Sequence, residues 1–225
     1  MGHAPAQLRQ AAPAVALRTT AGTLELGGRP WLMGIVNATP DSFSDGGSHR
    51  TLDERVELAR SLLDAGADLI DIGGESGVTN QPPVAPEDEI ARVVPLIERV
   101  TSELGAVVSV DTYKPAVALA AITAGAAIVN DVSGLRNPEL ADVCAGTGAG
   151  LVLMHTRAAP KEKLLDPTLD GLVGADVKRF LRELNPLIES AVRPVVRERV
   201  GRGVDDPHQP RPPAELECAR GGAQR

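Results

Sequence analysis

Short apolar runs recur along the chain, each stopping at a polar residue or a glycine and each followed by a stretch with helical spacing. The first is Leu32, Met33, Ile35 and Val36, ending at Asn37. Near-continuous hydrophobicity of this kind is what a strand in a parallel sheet requires when both faces are covered. Thr51 to Ala65 follows with apolar residues at Leu52, Val56, Ala59, Leu62 and Leu63, a helical stripe closed by Gly66. The pattern then repeats. A strand from Leu69 to Ile72 runs into Gly73-Gly74-Glu75-Ser76-Gly77, and a helix from about Pro86 buries Ile90, Val93, Val94, Leu96, Ile97 and Val100. Ala106 to Val110 predicts a strand ending in Asp111-Thr112, Pro115 to Ala124 a helix, and Ala127 to Val129 a strand ending in Asn130-Asp131. Pro138 to Ala145 predicts a helix and Leu151 to Met154 a strand ending in His155-Thr156. Strands alternating with helices in this way predict a parallel β/α architecture. Ahead of it, residues 1–13 read as a disordered lead-in, and Val15 to Leu26 with its Ala21-Gly22 turn as a β-hairpin.

The polar residues fall at one end of these strands. Asn37, Asp71, Asp111, Asn130, Asp131 and His155 each lie at or next to the carboxyl end of an apolar run. A single Asp or Asn there is more often a turn former or helix cap, but five strands sharing the feature point to a site. In a β/α barrel the loops converge at that end over the packed interior, and in an open doubly wound sheet ligands also bind there, so both architectures remain open at this point. Gly73-Gly74 lacks the G-x-G-x-x-G spacing and no G-x-x-x-x-G-K-S/T occurs, which removes dinucleotide and P-loop nucleotide sites.

Composition narrows the class further. With 225 residues, 43% hydrophobic and 24% charged, the chain reads as one large globular domain. A net charge of -7 and 2% aromatic content argue against nucleic acid as a partner. Cys144 and Cys218 form no metal-ligand pair or disulfide framework, which fits a reducing cytoplasm. No apolar run is long enough for a membrane span, and the first residues do not make a signal peptide.

Four stretches together resemble dihydropteroate synthase of folate biosynthesis: MGIVNATPDSFSDGG at 33–47, DLIDIGGES at 68–76, VSVDTYKPAVA at 108–118 and AAIVNDVSGL at 126–135, with LVLMHTR at 151–157 as a weaker fifth. The resemblance runs from about residue 30 to residue 183. It implies a TIM (β/α)8-type barrel and the condensation of 6-hydroxymethyl-7,8-dihydropterin pyrophosphate with p-aminobenzoate, assisted by Mg2+. Carried over residue by residue, it makes Asn37 the metal contact and makes Asp111 and Asn130 the carboxylate and amide that hold the pterin. Asp71, Val132 and Met154 resemble further pterin-pocket lining. Phe43 and Asp45 fall in the family's first mobile loop, where Phe43 would wall the p-aminobenzoate site and Asp45 would orient the loop or balance developing positive charge. His155 reads as barrel-mouth structure. A homodimer is the family's common assembly. The chemistry, departure of pyrophosphate and capture of a pterin cation by an arylamine, asks the protein for positioning and electrostatics rather than a nucleophile.

The sequence departs from the family in two places. Where the family reads G-G-E-S-T-R-P-G, this chain has Gly77-Val78 in place of the hydroxyl and guanidinium, removing a bidentate grip on pyrophosphate. Beyond about Glu183 the family pattern fades, apart from an echo at Val204-Asp205-Asp206-Pro207, and 200–225 reads as a disordered tail or the product of a shifted reading frame. The expected organisation is therefore a partial barrel of five to six β/α units over 14–199, in which Lys and Arg contacts to pterin and pyrophosphate have no source, so that this chain alone is expected to be poorly active. A non-catalytic pterin-binding remnant is the alternative function. A pterin-dependent methyl transferase is disfavoured because TPDSFSDGG belongs to the synthase loop.

Overall fold

A strand whose residues alternate in direction must satisfy two different surroundings, and the first strand of the main sheet does so with the burial sequence of its five residues. In this computed structural model, which describes residues 15–39, 51–77, 79, 82–163 and 172–201, Val36 is 1% exposed and its neighbour Ile35 is 61% exposed. Val36 faces the helices and Ile35 faces the concave side of the sheet.

The elements in order are β1 (Val15–Thr19), β2 (Gly22–Leu26), β3 (Met33–Asn37), α1 (Leu52–Asp64), β4 (Leu69–Gly73), α2 (Pro86–Leu104), β5 (Val108–Asp111), α3 (Pro115–Thr123), β6 (Ile128–Asp131), α4 (Glu139–Thr147), β7 (Gly150–Leu153) and α5 (Val173–Gly201). Strands β3 to β7 form one parallel sheet in chain order, β3-β4-β5-β6-β7. An open doubly wound sheet reverses its strand order at a switch point. Monotonic winding instead gives an arc of a barrel, and the choice that the sequence left open falls to the barrel. Among the described residues there are five β/α units, the lower end of the predicted range.

Local chemistry sets most boundaries. Thr51 caps α1 with a reciprocal capping box to Glu54, and Gly66, at φ 104°, turns the chain out of it. Pro86 and Pro115 stand at the first turns of α2 and α3, where a missing N–H costs nothing. Gly105 and Gly148 close α2 and α4 in the left-handed conformation. On the outer face, Ile70, Ile72, Val108, Val110 and Val129 are fully buried against Val93, Leu96, Ile97, Val100 and Val117 of the helices. Gly74 is required by this packing, since a Cβ there would lie 2.7 Å from Val93 Cγ1 and 2.8 Å from Glu89 Cγ.

The predicted hairpin is present as β1 and β2, paired antiparallel. It closes the amino-terminal end of the sheet, with Leu17, Leu24 and Trp31 packed on Leu69, Ala127 and Ile128. An Arg29–Asp68 ion pair holds the connection, and Leu32 N–H donates to Asp68 Oδ2 at 2.8 Å.

Three details differ from the sequence reading. The strands run on through the polar residues that seemed to end them: Asn37, Gly73, Asp111 and Asp131 are each the last paired residue of a strand. The strand expected from Ala106 starts at Val108. Helix α5 lies in a region that no stripe had been assigned to, and it docks through Phe180, Leu184 and Ile188, spaced four residues apart on one face. Residues 202–225, including Val204 to Pro207, lie outside the described residues.

Candidate functional site

Register decides which polar side chains can meet. Pairing across the sheet puts Asn37 opposite Gly73, Gly73 opposite Asp111, Asp111 opposite Asn130 and Asn130 opposite Val152. One row at the carboxyl ends of the strands thus carries Asn37, Asp111 and Asn130 on the concave face. A second row lies one residue pair deeper and carries Ile35, Asp71, Ser109 and Ile128. Asp71 is therefore not at the strand end, as its place in the sequence suggested, but in the layer beneath Asp111 and Asn130.

The two rows are linked. Asn130 Nδ2 donates to Asp71 Oδ2 at 3.2 Å, which orients the amide and leaves its oxygen and one N–H without a partner among the described residues. Asp71 Oδ1 and Ser109 Oγ are buried with no aligned hydrogen-bond partner among the described residues. Burial pushes the Asp71 carboxyl up, and the nearby Ser109 hydroxyl and the Asn130 amide offset only part of that. Asp111 is pushed further, up to about 7, first by burial and then by the carboxylates of Asp71, Glu89, Asp131 and Glu75. A carboxyl that is this poorly compensated is prepared to accept hydrogen bonds from a ligand with adjacent donors.

A cavity of about 310 Å³ opens at the Asp111 end of this row, with Asp111, Val132 and Met154 in its walls together with Glu75, Thr112 and Lys161. Of the residues predicted from sequence, the structure brings Asp111, Val132 and Met154 into the cavity wall and gathers Asn37, Asp71 and Asn130 around Asp111 on the sheet. Phe43 and Asp45 lie outside the described residues, as does Val78. Asp131 turns away from this group: its carboxylate is fully buried and accepts from Ser133 N–H at 2.7 Å and Leu135 N–H at 2.6 Å, which shapes the loop after β6. His155 Nε2 lies 3.0 Å from Asp176 Oδ2, and its ring meets Phe180 edge-on at 4.9 Å, so it docks α5 beside the end of β7.

The geometry also presents one oxygen suited to a cation. A Cβ on Gly73 would lie at ordinary contact distance, 3.6 Å, from both Asn37 Oδ1 and Asp111 Oδ2, so the two side chains draw near each other over that glycine. Among the described residues no group of three or more His, Cys, Asp or Glu is arranged to hold a metal. An amide oxygen beside a carboxylate fits Mg2+, which keeps several waters and takes substrate phosphate oxygens, better than a metal that needs an all-protein cage.

Sequence reasoning assigned no role to a charged cluster at the cavity wall. Lys114, after β5, ion-pairs with both Glu75 and Glu89 and donates to Val84 O at 2.7 Å. Although burial works against its charge, these two carboxylates hold Lys114 above the usual lysine range. The only signal for it was its position three residues past Asp111 inside a motif.

The chain matches the family model described as pterin binding enzyme over residues 33–195. The chain belongs to the pterin binding enzyme family. Within this family it is 50% identical over 127 residues to the dihydropteroate synthase of Bacillus subtilis, a match that covers 56% of this chain and 45% of that protein. Its fold is similar to Xanthomonas albilineans dihydropteroate synthase with 4-aminobenzoic acid, at 43% identity and TM-score 0.66, covering 79% of this chain and 63% of that one. It is also similar to Burkholderia cenocepacia dihydropteroate synthase complexed with 7,8-dihydropteroate, at 34% identity and TM-score 0.57, covering 75% and 59%. The chain thus spans about half the length of the single-function curated relatives it matches. Among the described residues no helix of this chain is long and apolar enough to cross a membrane.

Proposed function

We propose that this chain carries the pterin-holding site of a dihydropteroate synthase, joining 6-hydroxymethyl-7,8-dihydropterin pyrophosphate to p-aminobenzoate with release of pyrophosphate. The observation that carries the reading is the single row of Asn37, Asp111 and Asn130, in which Asp111 has no cationic or N–H partner among the described residues. A pterin edge offers an amino group and a ring N–H beside acceptors. The Asp111 carboxylate accepts from the two donors, while the free oxygen and N–H of Asn130 take the complementary pair, with Asp71 holding that amide in orientation. Val132 and Met154 pack against the flat ring, where the thioether adapts to its shape.

Asn37 lies in the same row as Asp111, on the next strand but one. Mg2+, when bound, supplies Lewis-acid neutralisation of the leaving pyrophosphate, and Asn37 Oδ1 is the protein oxygen that would hold it. Phe43 and Asp45 complete this reading as the arylamine wall and the loop carboxylate. The reading extends to a cytoplasmic homodimer, in keeping with the family resemblance and with a chain whose described helices include none able to cross a membrane.

The test is direct. The purified chain is titrated with 6-hydroxymethylpterin and, separately, incubated with the pterin pyrophosphate, p-aminobenzoate and Mg2+ while 7,8-dihydropteroate and pyrophosphate are measured. Saturable pterin binding and product formation support the proposal. Pterin binding without product moves the assignment to a non-catalytic pterin-binding module, and the loss of both removes it.

A further inference from the structure

Three loops converge on one carboxylate. Glu75, in the loop after β4, has a side chain only 7% exposed, and its oxygens receive Val84 N–H at 3.2 Å, the Tyr113 hydroxyl at 3.1 Å, the Lys114 ammonium and the Lys161 ammonium at 3.1 Å. Tyr113 and Lys114 belong to the loop after β5. Lys161 comes from the loop after β7 and also donates to the Ser76 carbonyl. These groups balance: two carboxylates, Glu75 and Glu89, face two ammonium groups, Lys114 and Lys161. Burial alone would raise the Glu75 pKa, yet the two lysines hold it below the usual range.

Lys161 differs from the other members in its backbone. Its φ is 68°, in the left-handed region that a lysine adopts at a cost, while the residue is neither a glycine nor an asparagine in a turn that would favour it. Strain of this kind persists where surrounding contacts over-determine it, and here the contacts are Glu75 and Ser76 O. Its side chain, 11% exposed, also stands in the partition between the 310 Å³ cavity and a second cleft of about 360 Å³ lined by Ser133, Arg136 and Asn137. Lys114 can hold Glu75 to α2 without Lys161, because it reaches Glu89 and Val84 O as well. What Lys161 adds is the link across the mouth, from the loop after β7 to the loop after β4.

We propose that Lys161 is a positioning residue, a latch that ties the loop after β7 to the loop after β4 through Glu75 and Ser76 and so holds the cavity wall around a bound pterin. The inference rests on the pterin-binding reading of the same cavity. It predicts that the latch contributes to ligand affinity by preorganisation, with little contribution to global stability, because backbone strain offsets what the ion pair supplies.

The experiment uses the full 225-residue chain and 6-hydroxymethylpterin as probe, with affinity and melting temperature read on each variant. Lys161→Met is expected to weaken binding about tenfold while moving the melting temperature by no more than about 2 °C. Lys161→Gly relieves the left-handed strain, so it should bind as weakly as the methionine variant yet melt at or above the unmodified chain, and it carries the test should Lys161→Met not fold. Lys161→Arg, which keeps charge and donors, is expected to recover most of the affinity. The latch is overturned if Lys161→Met and Lys161→Gly bind as tightly as the unmodified chain, if affinity and melting temperature fall together in both, or if all three variants lose affinity equally. Failure of the unmodified chain to bind the pterin overturns the functional reading itself, an outcome distinct from these.

Discussion

The two faces of the β3–β7 sheet are made by the same strands and do opposite work. The outer face is apolar except for Asp131 at the end of β6, with Ile70, Ile72, Val108, Val110 and Val129 sealed under the helices. The concave face, one residue away along each strand, carries Asn37, Asp71, Ser109, Asp111 and Asn130, two of them with orphaned buried atoms, and leaves Ile35 and Met33 exposed. The contrast teaches that stability and recognition are separated here by the two-residue period of a strand rather than by distance. The outer face supplies enough burial to hold unpaired polar groups in place on the inner one, where they cost stability until a ligand meets them.

The largest test of that separation is Ile72→Ala on the outer face. Removing a fully buried side chain should cost about 2–5 kcal/mol in denaturant unfolding, with pterin affinity unchanged at temperatures where the variant is folded. A comparable loss of intrinsic affinity would show that the faces are not separable.

Next in size is Asp111→Asn, for which the two properties should move in opposite directions. Affinity for 6-hydroxymethylpterin should fall by about 1–3 kcal/mol, since an amide cannot accept from two adjacent donors with both of its heavy atoms. Stability should rise near neutral pH. The Asp111 carboxyl is held up at about 7 in the folded chain and titrates in the ordinary carboxylate range when unfolded, so the folded state binds more protons between those values. Its contribution to stability is present below the ordinary range and is lost as pH rises toward 7. Unfolding of the ligand-free chain should show that decline, and Asp111→Asn should lack it.

A smaller effect is expected from the double substitution Gly77→Thr with Val78→Arg, which restores the family's hydroxyl and guanidinium. A Cβ at Gly77 meets nothing within 4 Å, so the larger residue has room. Affinity for the pterin pyrophosphate should rise about tenfold, while affinity for 6-hydroxymethylpterin, which lacks the pyrophosphate, stays the same. Equal gains for both ligands would argue against a phosphate contact. The smallest effect is reserved for Ile35→Ser, on the same strand as Val36 but on the concave face, where 61% exposure predicts a stability change within about 0.5 kcal/mol.

Much of this was legible before any coordinates, because the signals involved are local. The strand–helix alternation, the helix starts at Thr51, Pro86 and Pro115, and the hairpin all follow from neighbouring residues acting on their own backbone. Helix α5 was missed because its contacts at Phe180, Leu184 and Ile188 are mixed with exposed Leu181 and Leu187, which blurs the stripe. Asp131 and Asp111 look alike in sequence, each closing an apolar run, yet one shapes a loop and the other faces the cavity.

What the sequence determined by itself is the order of the elements, the polar residue at the end of each strand and the family motifs, since all of these are written in consecutive residues. Tertiary structure alone decided that Asn37, Asp111 and Asn130 share a row with Asp71 beneath them, that burial and neighbouring carboxylates push the Asp111 carboxyl up to about 7, and that Lys161 reaches Glu75 from 86 positions away in the chain. Register, burial and long-range ion pairing are properties of strands placed side by side. No single stretch of the chain carries the free energy that sets them.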